Sequence, residues 1–373
     1  MARRVLLFDL YDGDAGTAVP GTIRRTVKPQ SGKWTSKITG DGDGKFTFRT
    51  DDAEERTTRT IAQERAQREE DFRPNARGIA VLDERTVLYA GKIEDWSYSR
   101  DAGTFEVSTV EIREELSWRL MHRVGEYQQG TLSVASRSSA GAIRAILDRA
   151  TGLTDEFALP IDLPADGAGS ITEKWKFWKK LKADELIEQI EDRGCELVLV
   201  PYLVVDGSGR EQAIRWAAVV DTRVTLESTT FMLNADESPL SGITYQCDGK
   251  QQITQLLGIG TGSGEDQPTA WDGRQSDRGI IQRSTIVTFE GLKGDALQAA
   301  TSREMDARER PSHQLSITTY TPSAAWPAEH ATTGREWRVS SHDDPVIPDA
   351  TFVMRLVQTS GGVSEGPIAV EVQ

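Results

Sequence analysis

Residues 78–121 constrain the fold more tightly than any other part of this chain. Val87, Tyr89 and Ile93, then Phe105, Val107 and Thr109, alternate with polar or small residues at the period of two that half-buried strands require. Asp83-Glu84-Arg85 and Asp101-Ala102-Gly103 read as tight loops, with Gly103 placed where a turn needs a left-handed residue before the next strand. Three consecutive strands joined in this way form a meander. Its apolar parity changes between Ile93 and Trp96, which predicts a bulge or a change of partner sheet there.

The flanking segments extend this β pattern. Residues 5–11, 22–27, 34–38 and 45–49 read as strands separated by Gly and Asp clusters. Thr50 or Asp51 is expected to cap a helix over 51–71 that stops before Pro74. Its apolar stripe is thin, mainly Ile61, Ala62, Ala66 and Phe72, and mixed charge covers the rest. Beyond the meander, Ser138 or Ser139 starts a helix whose face carries Ala142, Ile143, Ile146, Leu147 and Ala150 and which Gly152 ends. A short aromatic strand follows, then a helix with Leu186, Ile187 and Ile190 on one face, and a hairpin turning at Asp206-Gly207-Ser208-Gly209. From residue 223 the pattern is β-rich again, at 243–246, 252–259, 280–289, 314–321, 335–341, 351–357 and 367–372. One helix over 294–310 interrupts it, with Ala296, Leu297, Ala300 and Met305 inward and Pro311 as its stop. The order strand, helix, strands therefore occurs twice.

The expected fold class is mainly β with an α+β insert. It has three parts: a first β-barrel over 1–122 with helix 51–71, an inserted α+β region over 123–222, and a second β-barrel over 223–373 with helix 294–310. Each barrel is expected to be tube-like.

Charge and cysteine usage exclude several functions. Across 373 residues, 58 acidic against 44 basic side chains leave a net charge of −14, which disfavours nonspecific binding to nucleic acid or an anionic membrane. No apolar run approaches the roughly 20 residues that span a bilayer. Asp9 interrupts the short apolar run near the N-terminus before a signal-peptide core can form. Cys195 and Cys247 match neither a zinc spacing nor a disulfide framework, so both read as small buried apolar residues.

Candidate chemistry is sparse. Residues 39–44, TGDGDG, resemble a calcium loop until Lys45 and Phe46 occupy positions needing an oxygen ligand and Gly, so a solvated turn is expected. Gly258, Gly260, Gly262 and Gly264 follow a strand as a phosphate loop would, but Ser263 stands at the third fingerprint glycine. His122, His313, His330 and His342 lack metal spacing, and His342-Asp343-Asp344 forms one polar cluster. Glu185, Glu188 and Glu191, and separately Glu111, Glu114 and Glu115, are the carboxylate groups a glycosidase would need, with solvated faces as the simpler account. The aromatics Trp175, Phe177 and Trp178 interleave with Lys174, Lys176, Lys179, Lys180 and Lys182, which suggests a nucleic-acid stacking platform or, more simply, a core face opposite a wet one. A nucleophile built on Cys195 is disfavoured because CELVLV reads as a buried strand start. No catalytic, cofactor-binding or metal-binding residue is assigned.

The succession RTDDAEERT, GIAVLDERTVLYAGKIEDWSYSRDAGTFEVSTVEIREELSWRLM, WKKLKADELIEQIEDRGCELVLVPY and ITQLLGIGTGSGED resembles the tail-hub proteins of long-tailed bacteriophages. More narrowly, it is similar to minor tail proteins of siphophages infecting actinobacteria, over nearly the whole chain. The resemblance implies a non-enzymatic virion protein at the tail tip, assembled in the bacterial cytoplasm. It implies a homotrimer joining the sixfold tail tube to a threefold tip and lining the DNA channel. Its implied partners are the distal tail protein ring, the tape measure protein and tip or receptor-binding proteins, with DNA only in passage and no membrane insertion. No lysin or spike follows within the chain, so cell-wall cutting is expected to belong to another protein. Two other classes stay open. One is a tail-associated peptidoglycan- or carbohydrate-cleaving enzyme, motivated by the nine tryptophans and the acidic helix flanks. The other is a host-polysaccharide-binding adhesin.

Overall fold

A computed structural model describes residues 3–10, 20–50, 60–121, 129–151, 158–274 and 280–373. The first stretch carries β1 (Arg4–Asp9), β2 (Ile23–Val27), β3 (Ser31–Lys37), β4 (Asp43–Arg49), α1 (Ile61–Asp71), β5 (Arg77–Asp83), β6 (Thr86–Ser99) and β7 (Thr104–Glu111). The middle holds β8 (Thr131–Arg137), α2 (Ser139–Thr151), β9 (Ile161–Asp162), β10 (Ile171–Lys176), α3 (Ala183–Glu191), β11 (Glu196–Val205) and β12 (Glu211–Asp221). The remainder begins with β13 (Ser228–Met232), β14 (Leu240–Ser241), β15 (Thr244–Asp248), β16 (Gln255–Ile259), β17 (Thr269–Gly273), β18 (Ser284–Thr288) and α4 (Gly294–Arg308). It ends with β19 (Ser312–Ser316), β20 (Thr319–Tyr320), β21 (Glu336–Ser341), β22 (Ala350–Gly362) and β23 (Ile368–Val372). The fold is mainly β with an α+β portion. Among the described residues no helix is long and apolar enough to cross a membrane.

Two compact units form. One comprises Met1–Gly242, Ile317–Asp344 and Pro348–Gln373; the other comprises Ile243–Ser316 with Pro345–Ile347.

The larger unit is built on a 13-stranded sheet whose main path runs β14-β20-β23-β22-β3-β4-β7-β6-β5-β1-β2. The meander β5-β6-β7 is antiparallel throughout, Gly103 has φ +61°, and the register of β6 on β7 slips between Ile93 and Asp95, where the parity change predicted a bulge. Half-burial is the part of that reading that fails. Residues 77–82 and 87–93 are buried at every position, because both faces of the meander are covered. On one face Leu6, Phe8, Ala80, Leu82 and Ala90 join a core with Ile143, Ile146 and Leu147 of α2, Leu186 and Ile190 of α3, and Trp216 of β12. Across the other lie Trp34, Phe46 and Tyr89, with Tyr89 stacked on Trp34 at 6.3 Å and its hydroxyl 2.8 Å from the Thr109 Oγ1.

Among the described residues the sheet is an open path, not a closed ring. Where β2 begins, the chain turns onto the α+β portion: the Ile214 amide donates to the Gly21 carbonyl at 2.8 Å, and Thr22 bridges Ala213. Gly21 has φ +95°, and a Cβ there would lie 2.2 Å from the Ile214 carbonyl oxygen, so this contact requires glycine. At the other side β22 joins residues distant in sequence, pairing with β3 and β23 through its second half and with β21 through its first.

Helix α1 differs from the reading as 51–71. It starts at Ile61, capped by Thr60 in a capping box with Gln63; residues 51–59, including the expected cap Asp51, lie outside the described residues. The stripe Ile61, Ala62, Ala66 is exposed, and of the expected apolar residues Phe72 alone is buried. The helix docks by its C-terminal end instead. Phe72 packs on Phe48 and Phe105 at 4.9 and 5.1 Å, and buried Asp71 accepts from Arg25 Nε at 3.0 Å and Gln67 Nε2 at 2.9 Å. Glu70 pairs with Arg77, which also meets Asp9 at 3.0 Å. This ion network replaces the missing stripe. Helix α2 starts as expected, with the Gly141 amide donating to Ser138 Oγ at 3.1 Å; its expected stop, Gly152, lies outside the described residues.

In the smaller unit, β17-β16-β18 form a sheet and β15-β19 a two-stranded ribbon. Helix α4 buries Leu297, Ala300, Thr301 and Met305; Ala296, expected inward, is exposed and Thr301 takes an inward place. The Thr301 hydroxyl is satisfied within the helix by donating to the Leu297 carbonyl at 2.8 Å, which permits its burial.

Candidate functional site

Among the described residues the smaller unit's sheet has one face covered and one open. Leu256 packs with Ile253 and Met305, and a Cβ on Gly258 would lie 2.0 Å from Thr301 Oγ1, so α4 occupies that side. On the opposite face Trp271, Leu257 and Ile286 stand directly across from one another on β17, β16 and β18. Trp271 is 52% exposed and Ile286 61%. Strand β18, STIVT, has no ladder partner beyond β16 among the described residues and carries none of the lysines, glutamates or prolines that blunt an edge. An apolar row beside an unblunted edge is a template for another chain.

The glycine run 258–264 is thereby explained without phosphate. Gly258 makes room for α4, Gly260 lies where a Cβ would meet the Leu292 carbonyl at 2.3 Å, and Gly264 turns at φ +68°.

Most of the carboxylates in the two clusters are engaged by cations or backbone amides. Glu114 and Glu115 both accept from buried Lys92, at 2.9 and 3.1 Å. Burial pulls the Lys92 ammonium down, but these two bonds outweigh it and leave Lys92 above its ordinary value. Burial likewise pushes Glu114 up, and its bonds from Lys92 and Trp118 bring it below the usual carboxylate range. Glu111 stands apart. Its Oε2 accepts from the backbone amides of Gly42 at 3.0 Å and Lys37 at 3.4 Å, so the TGDGDG turn folds over a carboxyl group. Burial raises Glu111 to about 7 against the Ser36 hydroxyl and those two amides, with the Asp41 charge adding to the rise. In the other cluster, Glu185 accepts from the Lys182 amide at 3.1 Å as a helix cap, Glu188 is exposed, and Glu191 pairs with Arg113 at 2.6 Å.

Along the aromatic and lysine stretch Trp175 and Phe177 are buried as a core face, whereas Trp178 falls at the parity of Lys174 and Lys176 and is 54% exposed, so one of the three aromatics lies on the wet side. His122 lies outside the described residues. His330 Nδ1 lies 3.0 Å from Thr229 Oγ1, and burial, with help from Arg335, lowers its affinity for a proton. His342 meets Asp343 at 3.4 Å, as the sequence cluster suggested, and also Asp349 at 3.2 Å, on an exposed turn.

Cys195 is buried as expected, and burial pushes its thiol up. Cys247 is a correction. It is exposed: among the described residues β15 pairs with β19 alone, in a ribbon, and Cys247 stands opposite His313. Sequence spacing could not show this pairing, since the partners are 66 residues apart.

No family model matches the chain, and no curated protein matches it either. Solved structures do. The chain is similar to a tail protein from Neisseria meningitidis at 11% identity and TM-score 0.47, covering 99% of this chain and 96% of that one. It is similar to the 43 kDa tail protein of prophage MuSo2 from Shewanella oneidensis at 13% identity and TM-score 0.48, covering 99% and 97%. It is also similar to prophage tail protein gp18 from Listeria monocytogenes at 10% identity and TM-score 0.44, covering 99% and 94%. Identities and TM-scores this low leave the role to be argued from the chain's own residues.

Proposed function

We propose that this chain is a structural tail-hub protein of a phage virion, assembling as a homotrimer that joins the sixfold tail tube and distal ring to a threefold tip. The observation that carries the reading is the open apolar row Trp271, Leu257 and Ile286 beside edge strand β18, a surface suited to burial against another protein chain. The sequence resemblance to siphophage tail hubs supports the choice of assembly. In this reading residues 1–122 and 223–373 are the duplicated halves and 123–222 the insert, so three chains offer six quasi-equivalent surfaces. The net charge of −14 suits a channel through which DNA passes without adhering. The distal ring, the tape measure protein and tip or receptor-binding proteins are the partners this role requires, and the virion tail tip is its location.

Analytical ultracentrifugation tests the surface. Ile286→Lys is expected to weaken self-association at least tenfold, because it places a charge in an interface core, while leaving the folding of the isolated chain within about 0.5 kcal/mol. An unchanged association constant would count against the role of this face. The hydrolase alternative is separable by zymography on host cell wall, where no clearing is expected; clearing abolished by Glu185→Gln or Glu188→Gln would favour an enzyme.

A further inference from the structure

The ribbon β15-β19 brings together three side chains that the assembly role does not use. Cys247 and His313 are directly opposed, and Tyr245, two residues earlier on the same strand, shares their face. The Tyr245 ring stacks on the imidazole with centroids 5.7 Å apart and 20° between planes. Cys247 Sγ lies 3.9 Å from His313 Nε2, and the Tyr245 hydroxyl oxygen lies 3.0 Å from Nδ1. We propose that Cys247, His313 and Tyr245 form a reactive-thiol site that undergoes exchange with small-molecule disulfides.

The chemistry follows from the order of the contacts. When Nδ1–H donates to the Tyr245 oxygen, Nε2 presents its lone pair to the thiol, so one ring nitrogen orients the base and the other takes the proton. The Cys247 Sγ–H proton passes to Nε2, and the thiolate attacks one sulfur of the disulfide. The new Sγ–S bond forms as the old S–S bond breaks, and the departing thiolate takes the proton back from the imidazolium. The protein gains a mixed disulfide and one small thiol is released, so Cys247 is oxidised as the reagent is reduced. Cys195 does not compete: it is 7% exposed and its Sγ donates to the Ile190 carbonyl at 3.4 Å. The site rests on the geometry of the ribbon and is independent of the tail-hub reading.

The full-length chain is tested with 2,2′-dithiodipyridine, an uncharged disulfide, so that the net charge does not bias the encounter. One thiol is expected to react quickly in the native protein and to vanish in Cys247→Ser. His313→Gln is expected to slow this phase about tenfold, a modest share of what a positioned proton acceptor contributes, and Tyr245→Phe about threefold, with unfolding midpoints unchanged in both. The parent chain is also compared with itself in guanidinium chloride, which needs no variant to fold, and the native Cys247 is expected to react faster than in the unfolded chain. A His313→Gln rate equal to the parent's, or a native rate no higher than the unfolded one, overturns the proposal.

Discussion

Glu111→Gln is expected to stabilise the larger unit by about 3 kcal/mol at pH 8 and to leave it unchanged at pH 4. The carboxyl of Glu111 titrates at about 7 in the fold and at the ordinary 4.5 when the chain is unfolded. The folded state therefore binds its proton more tightly. That contribution is fully present below about 4.5 and is lost as the pH rises to about 7. Glutamine mimics the protonated acid, keeps an oxygen for the Gly42 and Lys37 amides, and does not ionise. Urea unfolding of both chains from pH 4 to pH 8 measures this. Two parallel stability curves would show that the TGDGDG turn already accommodates a charged carboxylate at no cost.

Trp216→Ala is expected to cost about 3–5 kcal/mol, the range for emptying a large buried aromatic site. Trp216 is 1% exposed and its ring lies 5.7 Å from that of Phe8 on β1, where the α+β portion meets the large sheet. Trp271→Ala supplies the contrast: at 52% exposed it is expected to change chain stability by less than about 0.5 kcal/mol. Denaturant midpoints of the two variants distinguish a core tryptophan from an exposed one. Equal losses would mean that the Trp271 face is already covered within the folded chain.

Local patterns were legible wherever short-range geometry decides the outcome. The meander, its bulge after Ile93, the left-handed Gly103, the Ser138 cap and the hairpin at 206–209 all follow from residue type and period. What period cannot reveal is which faces are covered. Residues 77–82 look like part of a half-buried strand and are buried throughout, because α2, α3 and β12 arrive from 60 or more residues away in sequence. Helix α1 offered a thin apolar stripe and docks through Phe72, Glu70 and Asp71, since long-range ion pairs leave no periodic trace. The exposed Cys247 and its pairing with His313 were hidden for the same reason: strand register across 66 residues sets them. The apolar row Trp271, Leu257 and Ile286 also needs three strands in register, and β17 itself lay outside the expected strands.

In the proposed role three copies of this chain would surround a central channel. Electron microscopy of the purified protein, alone and with the distal ring protein, tests it most directly. Top views with threefold symmetry and a central opening are the predicted result. Single chains in every preparation, including those with the ring protein present, would contradict it.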